Sequence, residues 1–295
     1  MLLPITETRP EGDAIDAMPA LIAAEAFVDG QLAALEAVRA AAADIDAGAA
    51  AMAGAIERGG SLVYAAAGSS GLMALADACE LTGTFGIPND RIAIHMAGGV
   101  PADGRMPGGT EDDGGAARHA AQSMTDADVL ITLSASGTTP YALDFAKAAK
   151  ANGASVIGIA CNPGAALLDL SDIAICLETP PEVIAGSTRL GAGTAQKAAL
   201  NLMSTLMGIR LGHVYQGQMV NVMADNAKLI QRAARMVSQI ANVGEGAAQD
   251  ALAEAGGQVK PAILIARGSP RQTAMDLLQR HAGRLDACLE ELNAT

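Results

Sequence analysis

Residues 61–86 read SLVYAAAGSSGLMALADACELTGTFG, and this stretch decides the fold. Residues 61–67 form an apolar run of strand length, too short and too β-compatible to be a core helix. The run stops at Gly68-Ser69-Ser70-Gly71, where a helical pattern begins. At a helix N-terminus such a loop offers backbone N–H groups, two hydroxyls and the positive end of the helix dipole, the arrangement that receives a phosphate. The same residues also serve as an ordinary turn between a strand and a helix in any α/β domain, and the stretch alone does not choose between these uses. Within the helix, Leu72, Leu75, Ala76 and Cys79 share one stripe. Glu80 falls at its edge, where a carboxylate is expected to be partly desolvated.

Outward from this stretch the alternation repeats. Residues 91–97 (RIAIHMA), 128–133 (DVLITL), 156–160 (VIGIA) and 173–177 (IAICL) are strand-like, with helical patterns between them. Strands alternating with helices predict right-handed crossovers and a five-stranded parallel sheet. The third strand runs into Ser134-Ala135-Ser136-Gly137-Thr138-Thr139-Pro140, ahead of a helix starting near Tyr141. Two hydroxyl-rich loops at one end of a parallel sheet line a single crevice, where open α/β sheets bind ligands. Between them lies GGVPADGRMPGGT (98–110), a loop long for a compact domain unless it has a function. It delivers Glu111-Asp112-Asp113 to a helix over 115–124, where acids are also favoured by the dipole. A further loop, 180–193, carries Glu182, Ser187, Thr188 and Arg189 ahead of a long helix over 194–211, with another helix over 219–237. An Ala-rich helical lead-in occupies 14–58, and 244–295 holds short helical pieces broken by glycines. We assign 1–240 as the main domain with its N-terminal helices and 241–295 as a small helical C-terminal unit.

The 295 residues are 51% hydrophobic but only 2% aromatic, without Trp, so the core is built from small aliphatic side chains and helices can approach closely. A formal charge of −13 argues against nucleic acid and anionic membrane as partners. A negatively charged small ligand would need local donors. The longest apolar candidate for a membrane span, 198–209, is interrupted by Asn201, Ser204 and Thr205. The first sixteen residues lack the features of a signal peptide, and a cytoplasmic location is expected. Cys79, Cys161, Cys176 and Cys288 have no C-x-x-C spacing and read as buried thiols. His95, His119, His213 and His281 have no ligand spacing and read as satisfied or surface residues, so no metal site is expected. No dinucleotide fingerprint, Walker lysine or G-x-S-x-G elbow is present, and no nucleotide cofactor is expected.

The two hydroxyl loops and the Glu182 segment resemble the sugar-isomerase (SIS) domain. More closely, the chain resembles the N-acetylmuramic acid 6-phosphate etherases. The resemblance is carried by GSSG with the DACE run ending at Glu80, GTFG, the AGG to TEDD segment around Glu111, SASGTTPY, IACNPG, PEVIAGSTRLGAGTAQK and the ADNAKL run after Met219. It runs from about residue 6 to residue 232 and more weakly beyond. It implies a three-layer α/β/α fold and a cofactor-free carbon–oxygen lyase of amino-sugar metabolism and peptidoglycan recycling. The implied reaction removes D-lactate from N-acetylmuramic acid 6-phosphate and leaves N-acetylglucosamine 6-phosphate. The open-chain sugar loses its C2 proton and the 3-O-lactyl group, and water then adds. Glu80 matches the acid that protonates the departing oxygen, and Glu111 matches the candidate base at C2. Elimination beside a carbonyl does need one acid and one base with pKa values pushed apart. Phosphate contacts carry over to Ser70, Ser134, Ser136 and Thr139, with Ser69, Thr138, Glu182, Ser187, Thr188 and Arg189 as further binding candidates.

The resemblance also implies a homodimer, consistent with Ala-rich helices of low charge. Basic residues of the family pattern are replaced here by Leu72, Thr138 and Gly191, and two prolines by Thr82 and Gly83. Arg189 and Lys197 are left as candidate cations. Two alternatives follow: a related lyase or isomerase on a less charged sugar acid or sugar phosphate, and a non-catalytic sugar-phosphate-sensing regulator. Fold alone does not separate them.

Overall fold

The computed structural model describes residues 4–8, 14–222, 224 and 226–294. Asp225 of the ADNAKL run, and 1–3 and 9–13 of the stretch read for a signal peptide, lie outside the described residues. Helices α1 (Ala20–Ala40) and α2 (Ala42–Glu57) lead into β1 (Leu62–Ala66), α3 (Gly68–Ala78), α4 (Leu81–Phe85), β2 (Ile92–Met96), α5 (Gly114–Ala120) and β3 (Val129–Leu133). Then come α6 (Pro140–Ala151), β4 (Ser155–Ala160), α7 (Ala166–Leu170), β5 (Ile173–Cys176) and α8 (Gly191–Arg210). The chain continues through β6 (Val214–Tyr215), β7 (Gln218–Met219), α9 (Ala227–Ala241), α10 (Glu245–Glu254), α11 (Val259–Ala266), α12 (Arg271–Arg280) and α13 (Leu285–Ala294). It divides into two compact units, Met1–Ala78 with Asp90–Thr205 and Cys79–Asn89 with Leu206–Thr295.

The first unit holds the expected five-stranded sheet, wholly parallel, in the order β2-β1-β3-β4-β5. Every residue of β1 and β3 is buried, as strands covered on both faces must be. On one face Val63, Ala65, Leu130 and Val156 pack with Ala117, Ala142 and Phe145. On the other, α2 packs against β1, β3 and β5. There the small-residue composition matters, because a Cβ at Gly48 of α2 would lie 2.5 Å from the sulfur of Met203 in α8.

In the second unit, α9 to α13 enclose a core that includes Val237, Ile240, Leu252, Ile263, Leu277 and Leu285. The apolar run at 261–266 belongs to α11. The helix expected over 219–237 begins only at Ala227, because β6 and β7 form an antiparallel hairpin before it. Gln216 (φ 49°) and Gly217 (φ 72°) make the turn between them, both left-handed, as a two-residue hairpin requires. Strands of two residues each are too short to leave a period in the sequence.

The stripe expected on α3 is also corrected. Its buried side is Ser70, Gly71, Ala74, Asp77 and Ala78, whereas Leu72 and Ala76 are exposed. The reason is polar. Asp77, 2% exposed, accepts hydrogen bonds from Tyr64 Oη (2.9 Å), Asn201 Nδ2 (2.8 Å) and Ser204 Oγ (2.9 Å). These bonds tie α3 to β1 and α8, and they rotate the helix so that the acid faces inward. Burial raises the Asp77 carboxyl above its ordinary pKa, against the lowering effect of its three donors and Lys197. Burial also raises Tyr64 well above 10, with Asp77 adding to the shift.

A raised folded-state pKa stabilises the fold below the ordinary carboxylate range, and that contribution is lost as pH rises through the folded value. Asp77→Ala should lower unfolding free energy by about 2–4 kcal/mol, because it orphans a buried tyrosine hydroxyl and two further donors. Asp77→Asn should cost less and flatten the pH dependence of stability just above the ordinary carboxylate pKa. Urea melts of the three proteins across that range check this. A wild-type slope in Asp77→Asn would show that Asp77 does not titrate as argued.

Candidate active site

Strand β1 has β2 on one side and β3 on the other, so the chain steps from β1 to one edge of the sheet and then back past it to β3, and the strand order reverses between β1 and β3. The loops after β1 and β3 flank this switch point, the place where open α/β sheets bind their ligands. The first loop is Gly68-Ser69-Ser70, whose residues already belong to the first turn of α3. The first turn of a helix presents N–H groups that have no partner within the helix. Gly68 has φ +54°, a conformation that favours glycine. Ser69 is half-buried and Ser70 is buried.

The second loop is a closed hydroxyl cluster. Ser134, 3% exposed, has its Oγ 2.8 Å from Thr139 Oγ1 and 3.3 Å from Ser136 Oγ, and it accepts from the Gly137 N–H at 3.0 Å. Thr138 donates to Ser136 through its backbone N–H (3.2 Å) and its hydroxyl (3.0 Å). Thr139 is the N-cap of α6, yet its side chain makes no capping bond and is spent on Ser134. The loop is therefore held by its own hydroxyls ahead of a second helix N-terminus.

The long loop 98–110 folds back so that a Cβ at Gly98 would lie 2.8 Å from Thr110 Oγ1. Of the three acids that follow, Asp113 is the N-cap of α5 and accepts from the Ala116 N–H at 2.9 Å. Glu111 sits earlier, in a 3-10 turn over Gly108–Asp112, and is turned the other way. A Cβ at Gly68 would stand 2.6 Å from Glu111 Oε1. The structural and functional uses of this acidic run are thus divided between two residues. Glu111 lies against the β1 loop, and Asp113 starts the helix.

Glu182 is committed elsewhere. It is 3% exposed, and its Oε2 and Oε1 accept from the N–H groups of Gly191 (2.8 Å) and Ala192 (2.9 Å), so it caps α8. Ser187 and Thr188 are half-buried, and the Thr188 carbonyl accepts from the Gly193 N–H at 2.8 Å. Exposed Arg189 lines a cavity of about 420 Å³ with Lys197, Thr194, Leu35 and Met73. Among the described residues neither Arg189 nor Lys197 forms an ion pair.

Glu80 belongs to the second unit and is exposed, not partly desolvated as expected. It follows the end of α3 and stands as the N-cap of α4, in neither helix's buried face.

The cysteines are corrected in part. Cys161 and Cys288 are buried, and burial pushes the Cys161 thiol up to about 12. Cys79, however, is exposed, because it lies one residue past the buried end of α3, and Cys176 is only half-buried. His213 also departs from expectation, with a buried Nδ1 that has no partner. Among the described residues, no three His, Cys, Asp or Glu side chains gather as metal ligands would. Nor is any described helix long and apolar enough to cross a membrane.

Asn162, passed over in the sequence except as part of IACNPG, is a node of the same end of the sheet. Its Oδ1 accepts from the Ile5 N–H (2.7 Å), and its Nδ2 donates to Ala135 O (2.9 Å) and Thr6 Oγ1 (3.3 Å). Asn before Pro-Gly reads as turn chemistry, which hid these longer-range bonds.

The SIS domain family matches residues 26–161. The N-acetylmuramic acid 6-phosphate etherase of Deinococcus radiodurans is 46% identical over 275 residues, 92% of this chain and 90% of that protein. The enzyme of the same name from Salmonella schwarzengrund is 36% identical, covering 97% of this chain and 98% of its own. Among solved structures, a putative phosphosugar isomerase involved in capsule formation from Bacteroides fragilis superposes with a TM-score of 0.50. At 20% identity, over 68% of this chain and 95% of that one, it speaks for the fold alone.

The position of Glu182 yields a direct test. Glu182→Ala should destabilise the protein by about 1–3 kcal/mol through loss of two charge-assisted bonds to the helix start, with Glu182→Gln intermediate. Denaturant melts measure this. Unchanged stability in Glu182→Ala would mean that the carboxylate serves something other than α8.

Proposed function

Because the chain belongs to the N-acetylmuramic acid 6-phosphate etherase family, we propose that it cleaves the D-lactyl ether of N-acetylmuramic acid 6-phosphate. The products are D-lactate and N-acetylglucosamine 6-phosphate. The observation that carries this reading is Glu111, lying against Gly68 at the head of α3 and beside the β1–β3 switch. A phosphate is received by the α3 and α6 N-termini with the hydroxyls of Ser69, Ser70, Ser134, Ser136, Thr138 and Thr139. Helix starts of this kind favour anions through both N–H groups and dipole. Ser187, Thr188 and Arg189 contribute to holding the rest of the sugar acid, whereas Glu182 acts by fixing the start of α8.

In the open-chain sugar the C1 carbonyl acidifies the C2 proton. Glu111 takes that proton as the C2–C3 double bond forms and the C3–O bond breaks. By the family resemblance Glu80 is the residue that gives a proton to the lactate oxygen as the C3–O bond breaks, so the departing group leaves as a neutral hydroxyl. Water then adds its oxygen at C3 and a proton returns to C2, restoring the saturated sugar. A less charged sugar acid is a second reading, favoured by the uncharged side chain of Leu72 on the exposed side of α3 and of Thr138 in the second loop.

We assign the protein to the cytoplasm as a homodimer. Leu21, Val28, Leu32 and Leu35 of α1 recur at helical spacing and are 71%, 58%, 55% and 41% exposed in the single chain. A second copy would cover this stripe.

Glu80→Gln and Glu111→Gln should each reduce D-lactate release by about a hundredfold or more while leaving affinity for N-acetylglucosamine 6-phosphate largely intact. Wild-type turnover that survives either change removes that residue from the assigned role. A wild type without turnover that still binds the sugar phosphate points to the sensing alternative. Light scattering should give twice the chain mass, and Val28→Asp with Leu32→Asp should give the monomer. A monomeric wild type ends the dimer reading.

A further inference from the structure

Thr6 is a polar residue with 0% exposure close to the start of the chain. It sits in a 3-10 turn over Ile5–Glu7, and its carbonyl and its hydroxyl are both engaged by residues of the loops that follow the strands. Its carbonyl accepts from the Gly186 N–H at 3.0 Å, and its Oγ1 accepts from Asn162 Nδ2 at 3.3 Å. The preceding Ile5 N–H donates to Asn162 Oδ1 at 2.7 Å. The Glu7 carboxylate lies over Gly186, where a Cβ would come within 2.9 Å of its Oε2 and where φ is +74°.

Asn162 carries this contact onward. Its Nδ2 donates to Ala135 O, which also accepts from the Cys161 N–H at 3.0 Å. Ala135 stands between Ser134 and Ser136, and Gly186 immediately precedes Ser187, Thr188 and Arg189. Residues 5–7 therefore bridge two loops that are separated in sequence and that both carry candidate binding groups. Surface loops are ordinarily the mobile part of an α/β domain, and substrate affinity falls when binding has to order them.

From this geometry we propose that residues 5–7, with Asn162, are positioning residues: they clasp the 134–139 and 186–189 loops together and preset their spacing for an anionic sugar. The inference rests on the etherase reading for its substrate. Thr6 and Asn162 touch no reacting atom in this scheme, and their effect is on the binding of the sugar phosphate, not on the elimination step.

Steady-state D-lactate release from N-acetylmuramic acid 6-phosphate, with circular dichroism and melting temperature as controls, tests it. Asn162→Leu and deletion of residues 1–8 should each raise KM about tenfold or more, with kcat changed less than about threefold. Thr6→Val should raise KM to a smaller extent, and Thr6→Ser should recover most of that loss. Variants that only melt earlier, with KM unchanged, overturn the proposal. So does a KM increase in Asn162→Leu that the deletion fails to reproduce, because the clasp would then not involve the N-terminal segment. If wild-type protein releases no lactate, the etherase reading fails on its own. The clasp is then judged by calorimetric affinity for N-acetylglucosamine 6-phosphate in the same variants, and a wild type lacking that affinity too overturns both.

Discussion

A parallel sheet in which β1 and β3 are each paired on both sides constrains everything else in the first unit. Both faces of β1 and β3 must be covered, so their side chains are committed to packing and cannot carry chemistry. Chemistry is left to the carboxyl ends, and the reversal of strand order between β1 and β3 concentrates it at one switch point. Ser134 illustrates the division. It is the first residue past β3, its N–H continues the ladder to Ile159 O at 3.1 Å, and its hydroxyl already belongs to the loop cluster.

The strands could be read from the sequence because a fully buried parallel strand has a simple signature, a short run of aliphatic residues ended by a small-residue loop. The hydroxyl loops could be read for the same reason, being the punctuation after those runs. What could not be read was orientation. Leu72, Leu75 and Ala76 look like a core stripe until Tyr64, Asn201 and Ser204 are brought to Asp77 by the fold, and no local window contains all four. Glu182 and Glu111 are equivalent in composition but not in use. One is consumed by two backbone N–H groups nine and ten residues away, and the other faces Gly68 at the first turn of α3, far back in the chain. Asn162 was hidden by its own turn motif, and the family resemblance, built on motifs, shared that blind spot.

Electrostatics sharpen the picture. The chain is acidic overall, and several of its cations are occupied at the surface: Arg118 and Lys147 with Asp144, Lys150 with Asp172, Arg280 with Glu291. Such exposed pairs add little stability. They do withdraw positive charge from the field a substrate meets. In the proposed binding mode an anion meets helix starts and hydroxyls at short range, against a repulsive background that salt weakens. Arg189 and Lys197 both line the cavity beside Thr194 and form no ion pair among the described residues.

The capping of α8 by Glu182 bears on how this chain could change. A Cβ at Gly191 would lie 3.2 Å from Glu182 Oε2, tighter than an ordinary contact. Putting a long basic side chain there, in the manner of the family pattern, is therefore not an independent repair of a missing charge. It would crowd the carboxylate that holds the helix start, and the helix start is what places Thr194 and Lys197. Side chains at 182 and 191 therefore share one space, and a substitution at either is felt at the other.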